Sequence, residues 1–470
     1  MAPRSQKTVQ PNPQLAEQEL PANESIVAIS TPPGRGGIGI VRLSGRHAFE
    51  IANALLTLRK PLAHAQARFV EIHDPETGEK LDEGIATYFA GPKSYTGEDL
   101  VEIAAHGSPV ILELLVRLAL RHGARLARPG EFTERAFLSG RIDLTQAEAV
   151  RDLIESQTLY QARVAAGQMG GALSRRIKPP KRDLVALIAV LEAGIDFAED
   201  DVDVTPNTEI VTRIGAIAAQ LEQLERSFER GRIVHRGLTL AIVGRPNVGK
   251  SSLFNRLVER ERAIVTAVPG TTRDLVTETV SLGGIPLQLV DTAGLREAVD
   301  EAELIGVQKS REALADADVV LLVFEAGVPL REDETALVRS LEGRRALTAF
   351  NKADLQLDSQ ATADPRLPAV TTSALTGQGI DDLRGALLSL VRNPPGETES
   401  GMLTTLRHHE AVTEALAALR KAAGAVQHGI PHEMILLDLY AALRQLDALT
   451  GETTPDDILN HIFSSFCIGK

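Results

Sequence analysis

A phosphate-binding loop is the clearest chemical motif in the sequence. The run GRPNVGKS (244–251) has the pattern G-x-x-x-x-G-K-S, follows the apolar run LTLAIV and leads into a helical pattern. In that context backbone N–H groups can surround a β-phosphate, Lys250 can neutralise β- and γ-phosphate oxygens, and the Ser251 hydroxyl can bind Mg²⁺. A chance glycine-rich turn is the alternative, and the flanking strand and helix argue against it. The predicted nucleotide contacts are Asn247, Val248, Gly249, Lys250, Ser251 and Ser252.

Two further motifs supply the magnesium and γ-phosphate side of such a site. DTAG (291–294) follows the strand-like run LQLV, which places Asp291 to hold Mg²⁺ through water and the Gly294 N–H to sense a γ-phosphate. PGTTRD (269–274) lies between the loop and DTAG, and Thr272 is placed to complete the Mg²⁺ shell when a γ-phosphate is present. The predicted contacts here are Pro269, Gly270, Thr271, Thr272, Asp291, Thr292, Ala293 and Gly294.

Base selection is predicted from NKAD (351–354), which follows the strand-like run ALTAF. The Asp354 carboxylate can accept both the N1–H and the 2-amino group of guanine, donors that adenine does not present together. SAL (373–375), after the run AVTT, has the place of a backbone contact to guanine O6. The order of the four motifs therefore predicts GTP, with contacts from Asn351, Lys352, Ala353, Asp354, Ser373, Ala374 and Leu375.

The residue after DTAG is Leu295, where Ras-like GTPases have a glutamine that orients the attacking water. A leucine side chain cannot do this. Hydrolysis is therefore expected to use another water-positioning group and another cation.

Length, composition and charge limit the number of domains, the cellular compartment and the partners that are expected for this protein. A length of 470 residues suggests about three domains at roughly 150 residues each. One cysteine excludes an intramolecular disulfide, and no apolar run reaches the roughly 18–20 residues that span a bilayer. A cytoplasmic protein is expected. The formal charge of −13 argues against nucleic-acid binding through global charge, so an RNA partner would need a local basic patch or a second protein.

The pattern along the chain predicts a multidomain α/β protein. Residues 1–23 are rich in Pro and Gln and are expected to be a disordered tail. Mixed strand and helix signals over 24–140 predict an α+β domain, and strands alternate with helices over 237–393. Helical periodicity fills 141–236 and 394–470, including an apolar stripe from Ile210 to Phe228. One discontinuous helical domain with the α/β domain inserted into it is the economical interpretation.

The single cysteine, Cys467, lies in the closing run IFSSFCIGK and allows three interpretations. A lipid anchor is poorly supported, because glycine and a terminal lysine do not fit a C-a-a-X signal. Spacing of four residues from Phe463 favours a small core residue on a final helix. A reactive thiol is the third, and it needs nearby cations such as Arg42 or Lys470 to lower its pKa.

These motifs together resemble the MnmE (TrmE) family of tRNA modification GTPases, in the TrmE–Era–EngA branch of the P-loop GTPases. The resemblance runs from about Glu24 to the C-terminus. It is carried by TPPGRGGIGIVRLSG, SYTGEDLVEI, RPGEFTERAFLSGRIDLTQAEA, GRPNVGKSS, PGTTRD, DTAGLREA and IFSSFCIGK. The fold it implies is a folate-binding-like N-terminal domain, a discontinuous all-α helical domain and an inserted Ras-like P-loop GTPase domain.

The resemblance also implies how hydrolysis is catalysed. A K⁺ ion between the phosphates replaces an arginine finger, and its site is completed when two GTPase domains dimerise. The implied K⁺ ligands are Asn247, Thr266, Val268 and Thr271, and Ala267 joins them in the nucleotide site. Glu303 is the implied water-positioning residue, whereas spacing alone favours a solvated helix carboxylate.

The N-terminal domain is implied to form a constitutive homodimer and to bind a tetrahydrofolate, 5-formyl- or 5,10-methylene-tetrahydrofolate. The matching positions are Arg42, Glu102, Arg141 and Lys470. One family member has a lysine in place of Arg141, so here a planar fork replaces a point charge. On sequence alone, Arg42 and Glu102 would be interpreted as charged side chains exposed to solvent. The resemblance also makes the Cys467 thiol a candidate for chemistry at this folate pocket.

The implied function is the installation of a carboxymethylaminomethyl-type group on C5 of tRNA wobble uridine-34. The reaction is implied to be shared with the flavoprotein MnmG (GidA), in a heterotetramer or larger complex. MnmG would carry the FAD and make most of the contact with tRNA. The alternative is a regulatory GTPase switch in ribosome assembly or RNA processing. The GTPase motifs do not separate the two functions, but the N-terminal and C-terminal segments favour the first.

Overall fold

The structure is a computed structural model that describes residues 24–196, 205–259, 277–291, 317–355, 366–391, 401–452, 459 and 462–469. The chain divides into two compact units. The first contains residues up to Arg151, Gln168–Gly215 and the residues from Glu414 onward, and the second contains Asp152–Gly167 and Ala216–Thr413. No helix within these described ranges is long and apolar enough to cross a membrane.

The first unit begins with a seven-stranded sheet in the order β3-β4-β5-β6-β2-β1-β7. All neighbours are antiparallel except β1 and β7, which pair in parallel. The strands are β1 Ser25–Ile29, β2 Gly36–Ser44, β3 Leu56–Thr57, β4 Gln66–His73, β5 Lys80–Phe89, β6 Leu100–Gly107 and β7 Ala124–Leu126.

Three helices accompany this sheet: α1 (Ala48–Leu55), α2 (Pro109–Arg121) and α3 (Glu131–Leu138). Alternate residues of the strands, such as Val41 and Ile103, are buried in one core with Leu115 and Leu118 of α2. This alternation is the period-two pattern of a half-buried strand. It leaves the intervening side chains of β2 and β6 on the other face of the sheet, where ligand-binding side chains have room.

In chain order, helical segments come before and after the strands of a second sheet, which is described below. They are α4 Leu144–Glu155, α5 Leu159–Met169, α6 Ala172–Asp196, α7 Asn207–Glu225, α8 Phe228–Arg236, α12 Leu406–Gln427 and α13 His432–Thr450, with the remaining helices given below. The predicted apolar stripe from Ile210 to Phe228 is buried, and so are Leu439, Leu446 and Leu449 of α13. The helical character of both flanks is therefore confirmed.

The second unit contains a six-stranded sheet in the order β13-β12-β11-β8-β10-β9, parallel except at the β9–β10 edge. Its strands are β8 Leu238–Val243, β9 Thr277–Leu282, β10 Ile285–Asp291, β11 Val319–Glu325, β12 Ala346–Asn351 and β13 Ala369–Thr371. The helices are α9 Lys250–Glu259, α10 Glu332–Ser340 and α11 Ile380–Val391. Gly283 and Gly284, at φ +59° and +88°, form the predicted two-residue hairpin.

The fold class predicted from the sequence is confirmed, with an α+β N-terminal part, helical segments and a doubly wound GTPase-type sheet. In parallel sheets of this kind ligands bind beyond the carboxyl ends of the strands. Here β8 and β12 end at the phosphate loop and at NKAD, respectively. The predicted boundaries at residues 140, 236 and 393 stay predictions.

Candidate nucleotide site

The phosphate loop joins the end of β8 to the start of α9, and two of its glycines are required by close approaches. A Cβ at Gly244 would lie 2.2 Å from the carbonyl oxygen of Val323. A Cβ at Gly249 would lie 2.3 Å from the Asn351 Nδ2 atom, and Gly249 also has φ +92°. Larger residues would therefore push the loop away from β11 and from NKAD. The loop's curl toward the sheet depends on these glycines.

Asn247 and Lys250 are the two loop residues with a distinct polar geometry. Asn247 has φ +65°, in the left-handed region that asparagine tolerates better than most residues, and its side chain is exposed. Lys250 is buried, and its Nζ donates to the Gly244 carbonyl at 2.7 Å and the Arg245 carbonyl at 2.8 Å. The ammonium group is thus held within the curl of the loop, where the first N–H groups of α9 make an anion site.

Asn351 connects the three loops that form the nucleotide site. Its Nδ2 donates to the Val248 carbonyl of the phosphate loop at 2.9 Å. Its Oδ1 accepts from the Ala374 N–H at 3.0 Å. The residue is buried, so these bonds are shielded from water. The asparagine therefore positions the base-binding segments relative to the phosphate loop.

The Asp354 carboxylate, which is predicted to read the base, is oriented by a hydrogen bond. The Ser373 hydroxyl donates to Asp354 Oδ1 at 2.5 Å, which leaves Oδ2 and the outer lone pairs for the two guanine donors. A buried Thr372 precedes this serine and brings SAL beside NKAD, as the Thr372 N–H donates to the Phe350 carbonyl at 2.7 Å. These contacts bring the two motifs together, and their binding of a guanine base stays a prediction.

Arg256 of α9 is a supporting residue that the motifs do not indicate. Its guanidinium donates to the Ala374 carbonyl and to the Leu375 carbonyl, each at 2.8 Å. These bonds hold the backbone of SAL against α9, while the Ser373 N–H donates to the Gln378 carbonyl and the Ala374 N–H to Asn351 Oδ1. The contact spans 118 residues of sequence, so no local spacing rule reveals it.

Several predicted site residues lie outside the described part of the chain, and of Asp291 only the backbone, paired with Ile242, is described. They belong to the loop before and within PGTTRD, to DTAG, to the segment after it and to the C-terminus. These residues are Thr266, Ala267, Val268, Pro269, Gly270, Thr271, Thr272, Thr292, Ala293, Gly294, Glu303 and Lys470.

A second polar site lies on the N-terminal sheet, where Arg42 and Glu102 are directly opposite each other on β2 and β6. Arg42 Nη2 lies 2.7 Å and Nε 3.0 Å from the same carboxylate oxygen, Glu102 Oε1. The side chains are 20% and 27% exposed. Two residues predicted to share a folate site are thus brought together with water or ligand access.

The surroundings of Arg42 add residues that the sequence does not single out. Its guanidinium lies 5.6 Å from the centroid of the buried Phe132 ring, and Nη1 donates to the Gly469 carbonyl at 3.4 Å. Ser30 Oγ donates to the same carbonyl at 2.9 Å. Partial burial raises the pKa of the Tyr95 hydroxyl, while its hydrogen bond with Thr133 and the charge of Arg42 oppose that rise. The Phe132 ring and the Arg42 guanidinium are therefore neighbours beside Gly469 near the C-terminus.

Arg141 is exposed after α3, and its Cγ lies 3.7 Å from the position that a Cβ on Gly97 would occupy. It therefore lies beside the SYTGED turn. No described contact joins it to Arg42 or Glu102. Its predicted part in the folate site stays a prediction.

Cys467 is exposed, so the interpretation of this cysteine as a small core residue is wrong. The reason is local: residues 462–464 are helical, but the chain turns at Ser465 and Phe466, and Ile468 then bridges to Pro129. Helical spacing therefore stops before residue 467. Phe463 and Phe466 are buried as predicted, against Phe137 and Leu144.

Two family models match this chain, and together they cover most of residues 25–467. A model described as the GTP-binding protein TrmE N-terminus matches residues 25–141, and a model described as the MnmE helical domain matches residues 144–467. The chain belongs to the MnmE family of tRNA modification GTPases.

Individual MnmE relatives match over almost their full length. The chain is 60% identical over 452 residues to the tRNA modification GTPase MnmE of Koribacter versatilis, covering 95% of this chain and 99% of that protein. It is 40% identical over 455 residues to the protein of the same name from Acetivibrio thermocellus, with 95% and 99% covered. A third MnmE, from Listeria welshimeri, is 41% identical over 456 residues, again with 95% and 99% covered.

Proposed function

We propose that this chain is a cytoplasmic GTPase that acts in the modification of C5 of tRNA wobble uridine-34. The observation that carries the proposal is the assembled guanine site, in which Asn351 bonds to both the phosphate loop and SAL, and Ser373 orients Asp354. The names of the relatives, tRNA modification GTPase, supply the biological reaction.

Phosphate binding follows from the loop geometry. The close packing of Gly249 on Asn351 leaves no room for a larger residue in the loop, and Lys250 holds its ammonium group against the loop carbonyls of Gly244 and Arg245. Ser251 lies in the first turn of α9 with an exposed side chain, so its hydroxyl fits a magnesium ligand. With Thr272 it would hold Mg²⁺, which supplies charge neutralisation at the phosphate oxygens.

Asn247 supports the proposed use of K⁺. It is an exposed amide on a residue of the phosphate loop with left-handed backbone, so its side chain is accessible to an ion. With Thr266, Val268 and Thr271 it would hold K⁺, which supplies the positive charge that an arginine finger gives in other GTPases. In this proposal Glu303 positions the attacking water in place of the missing glutamine.

The ion assignment is tested by GTPase turnover in matched KCl and NaCl buffers. Turnover is expected to rise strongly in K⁺, and Asn247→Ala is expected to remove the difference between the two salts. Glu303→Ala is expected to lose hydrolysis while keeping GTP affinity. Equal wild-type rates in both salts would refute the K⁺ site, and loss of GTP affinity in Glu303→Ala would indicate a structural role for that residue.

The one-carbon donor in the proposal is a tetrahydrofolate, 5-formyl- or 5,10-methylene-tetrahydrofolate. Arg42 and Glu102 fit such a ligand because they offer a guanidinium edge and a carboxylate beside the Phe132 ring. Arg141 and Lys470 complete the proposed set. Arg42 and Glu102 would bind and orient the pterin and its glutamate tail, and the bound folate would supply the carbon.

A homodimer is part of the proposal, and an apolar row on the N-terminal sheet supports it. Phe69, Ile85, Ala104 and Ile40 are register neighbours across four adjacent strands, on the face opposite the core. Phe69 is 57% exposed and Ile85 is 48% exposed. A second copy of the sheet would remove this row from water, which is favourable at about 25 cal/mol per Å² of apolar surface.

The second proposed partner is the flavoprotein MnmG (GidA), which would carry FAD and much of the tRNA contact. The acidic balance of this chain supports such a division, because a net charge of −13 opposes strong RNA binding by the whole surface. Mass spectrometry of uridine-34 in a deletion strain tests the function directly. We expect the deletion strain to lose the modified nucleoside and the wild-type chain to restore it. An unchanged amount of modified uridine-34 in the deletion strain would contradict the proposal.

A further inference from the structure

Helix α6 carries an exposed row of basic residues in a chain that is acidic overall. Residues 174–183 read SRRIKPPKRD, with five basic residues and one acidic residue. Arg175, Lys178 and Arg182 are spaced by three and four residues, so they lie on one face of the helix over about 10 Å of its axis. All three are exposed, and the Arg182 side chain is 78% exposed. We call these three residues the α6 basic row.

The carboxylates near this row leave most of its charge uncompensated. Arg175 Nη1 donates to the Gly170 carbonyl at 2.6 Å, which fixes the guanidinium without cancelling its charge. Within the described ranges neither Arg175 nor Lys178 forms an ion pair. Arg182 has a carboxylate neighbour, Asp183 Oδ1 at 2.9 Å, whose side chain is 40% exposed. An exposed pair of this kind is held weakly and can exchange its partner for a phosphate.

Lys181 has a different role from the row beside it. Its Nζ lies 2.7 Å from Asp447 Oδ1 and 2.6 Å from Glu452 Oε2, so its charge is neutralised. These bonds join α6 to the end of α13. They hold the surface that presents the basic row in a fixed orientation.

Arg444 of α13 extends the row. Tyr440 bonds to Glu192 of α6 and Asp447 to Lys181, which sets an antiparallel register between the two helices. Arg444 lies between those two contacts on the same face of α13 and is exposed. The register places it opposite the turn of α6 around Val185, one turn beyond Arg182.

We propose that the α6 basic row, with Arg444, contacts the phosphate backbone of tRNA. This inference rests on the proposed function, which makes tRNA the substrate. Cations on a rigid helix neutralise regularly spaced phosphates and fix the orientation of the nucleic acid without reading its bases. The row thus supplies the local basic patch that an acidic chain needs in order to hold an RNA at all.

A lipid surface is the less suitable partner for this helix. Amphipathic helices bind membranes by inserting an apolar face. The apolar face of α6 is buried in the protein, since Leu184, Leu187, Ile188 and Leu191 are at most 4% exposed. The cationic face is therefore left to meet a polyanion that lies outside the protein.

The test is the salt dependence of tRNA binding by the full-length protein. The variant Arg175→Gln/Lys178→Gln/Arg182→Gln removes the row while glutamine keeps helix propensity. Its affinity for an in-vitro transcribed tRNA with uridine-34 is measured by fluorescence anisotropy from 50 to 300 mM KCl, with and without the flavoprotein. We expect the tRNA affinity of the variant to fall on the order of 10-fold or more. We also expect the magnitude of the slope of log K against log salt concentration to decrease by about two to three.

A matched control removes the same net charge elsewhere. Arg121, Arg226 and Lys421 are 58%, 76% and 76% exposed, and each lies within 4.0 Å of a carboxylate partner. Their triple glutamine variant is expected to keep both the affinity and the slope. The variant Arg175→Lys/Arg182→Lys is expected to retain most binding, because phosphate contacts need charge more than a fork. GTPase turnover is expected to be equal in all of them.

Four results would overturn the inference. The first two are unchanged tRNA affinity in the row variant and an equal loss of affinity in the matched control. The third is that the wild type binds no tRNA with or without the flavoprotein. The fourth is that the row variant loses binding to phosphatidylglycerol vesicles and keeps its binding to tRNA. The proposed function is tested separately, by the amount of modified uridine-34 in the deletion strain. A row variant that binds tRNA normally, in a protein still required for the modification, would refute the row alone.

Discussion

Two arginine–glutamate clusters lie in the N-terminal part of the first unit, and they differ in accessibility. Arg42 and Glu102 form a pair whose side chains are 20% and 27% exposed. Arg135 and Glu131 are paired at 3.0 Å with side chains that are only 4% and 2% exposed. The same two residue types therefore occur once at a surface that admits a ligand and once within the protein.

The buried cluster is saturated with hydrogen bonds at its carboxylate. Glu131 accepts from Arg125 at 2.8 and 2.6 Å, from the Arg128 N–H at 2.8 Å and from Arg135 at 3.0 Å. Burial raises the pKa of the Glu131 carboxyl, but the hydrogen bonds from Arg125 and Arg128, with the charge of Arg135, lower it to about 2. Glu131 is thus committed to joining β7 to α3.

The exposed pair has unused capacity. Both bonds from Arg42 reach the same oxygen, Glu102 Oε1, and in the described part of the chain Oε2 has no bonded partner. A carboxylate with a free oxygen can accept ring N–H donors from a ligand. The number of hydrogen bonds at the carboxylate, rather than residue type, therefore separates a structural arginine–glutamate pair from one with an oxygen available to a ligand.

The largest effect expected from this comparison is on stability. Glu131→Gln is expected to destabilise the N-terminal part by about 3 kcal/mol, because a pKa of about 2 against 4.5 corresponds to that much interaction with the charged form. Urea unfolding followed by hydrogen exchange of α3 and β7 peptides measures it. Glu134→Gln is the control on the same helix. Burial raises the pKa of Glu134, so loss of its charge is expected to change stability by less than about 1 kcal/mol.

The same cluster predicts a pH dependence with a definite sign. The folded pKa of Glu131 is depressed, so its stabilisation is present above about pH 4.5 and is lost as the pH falls toward 2. Wild-type stability is therefore expected to fall over that window, and the Glu131→Gln profile is expected to be flatter there. Parallel profiles for the two proteins would show that the cluster is not the acid-sensitive element.

The exposed pair is expected to show the opposite division between binding and stability. Glu102→Gln and Arg42→Gln are each expected to weaken 5-formyl-tetrahydrofolate binding by 10-fold or more in calorimetry. Their unfolding free energies are expected to stay within about 1 kcal/mol of wild type, as for other accessible ion pairs. Lys80→Gln, which removes an exposed charge from β5 of the same sheet, is the control. Intact folate affinity in both pair variants would show that Arg42 and Glu102 do not bind the ligand.

The sequence predicts the local motifs well and the long-range contacts poorly. The phosphate loop, NKAD and the apolar stripes follow from spacing, because each is formed by residues within a few turns of the chain. The contact of Arg42 with Gly469 joins residues 427 apart, and the bond from Arg256 to Ala374 spans 118. Tertiary packing decides such contacts. The prediction that Cys467 is a core residue was wrong for a related reason. The last helix ends before residue 467, and Ile468 bridges to the distant Pro129.

The smallest structural effect is expected at Cys467, and it separates chemistry from packing beside the exposed pair. Because the thiol is exposed, Cys467→Ser is expected to leave unfolding free energy and GTPase turnover unchanged. If the thiol takes part in the reaction at the folate site, uridine-34 modification is expected to be lost in a strain that carries only this variant. Full modification in that strain would limit the tail's role to its backbone, through the Gly469 carbonyl that accepts from Arg42 and Ser30.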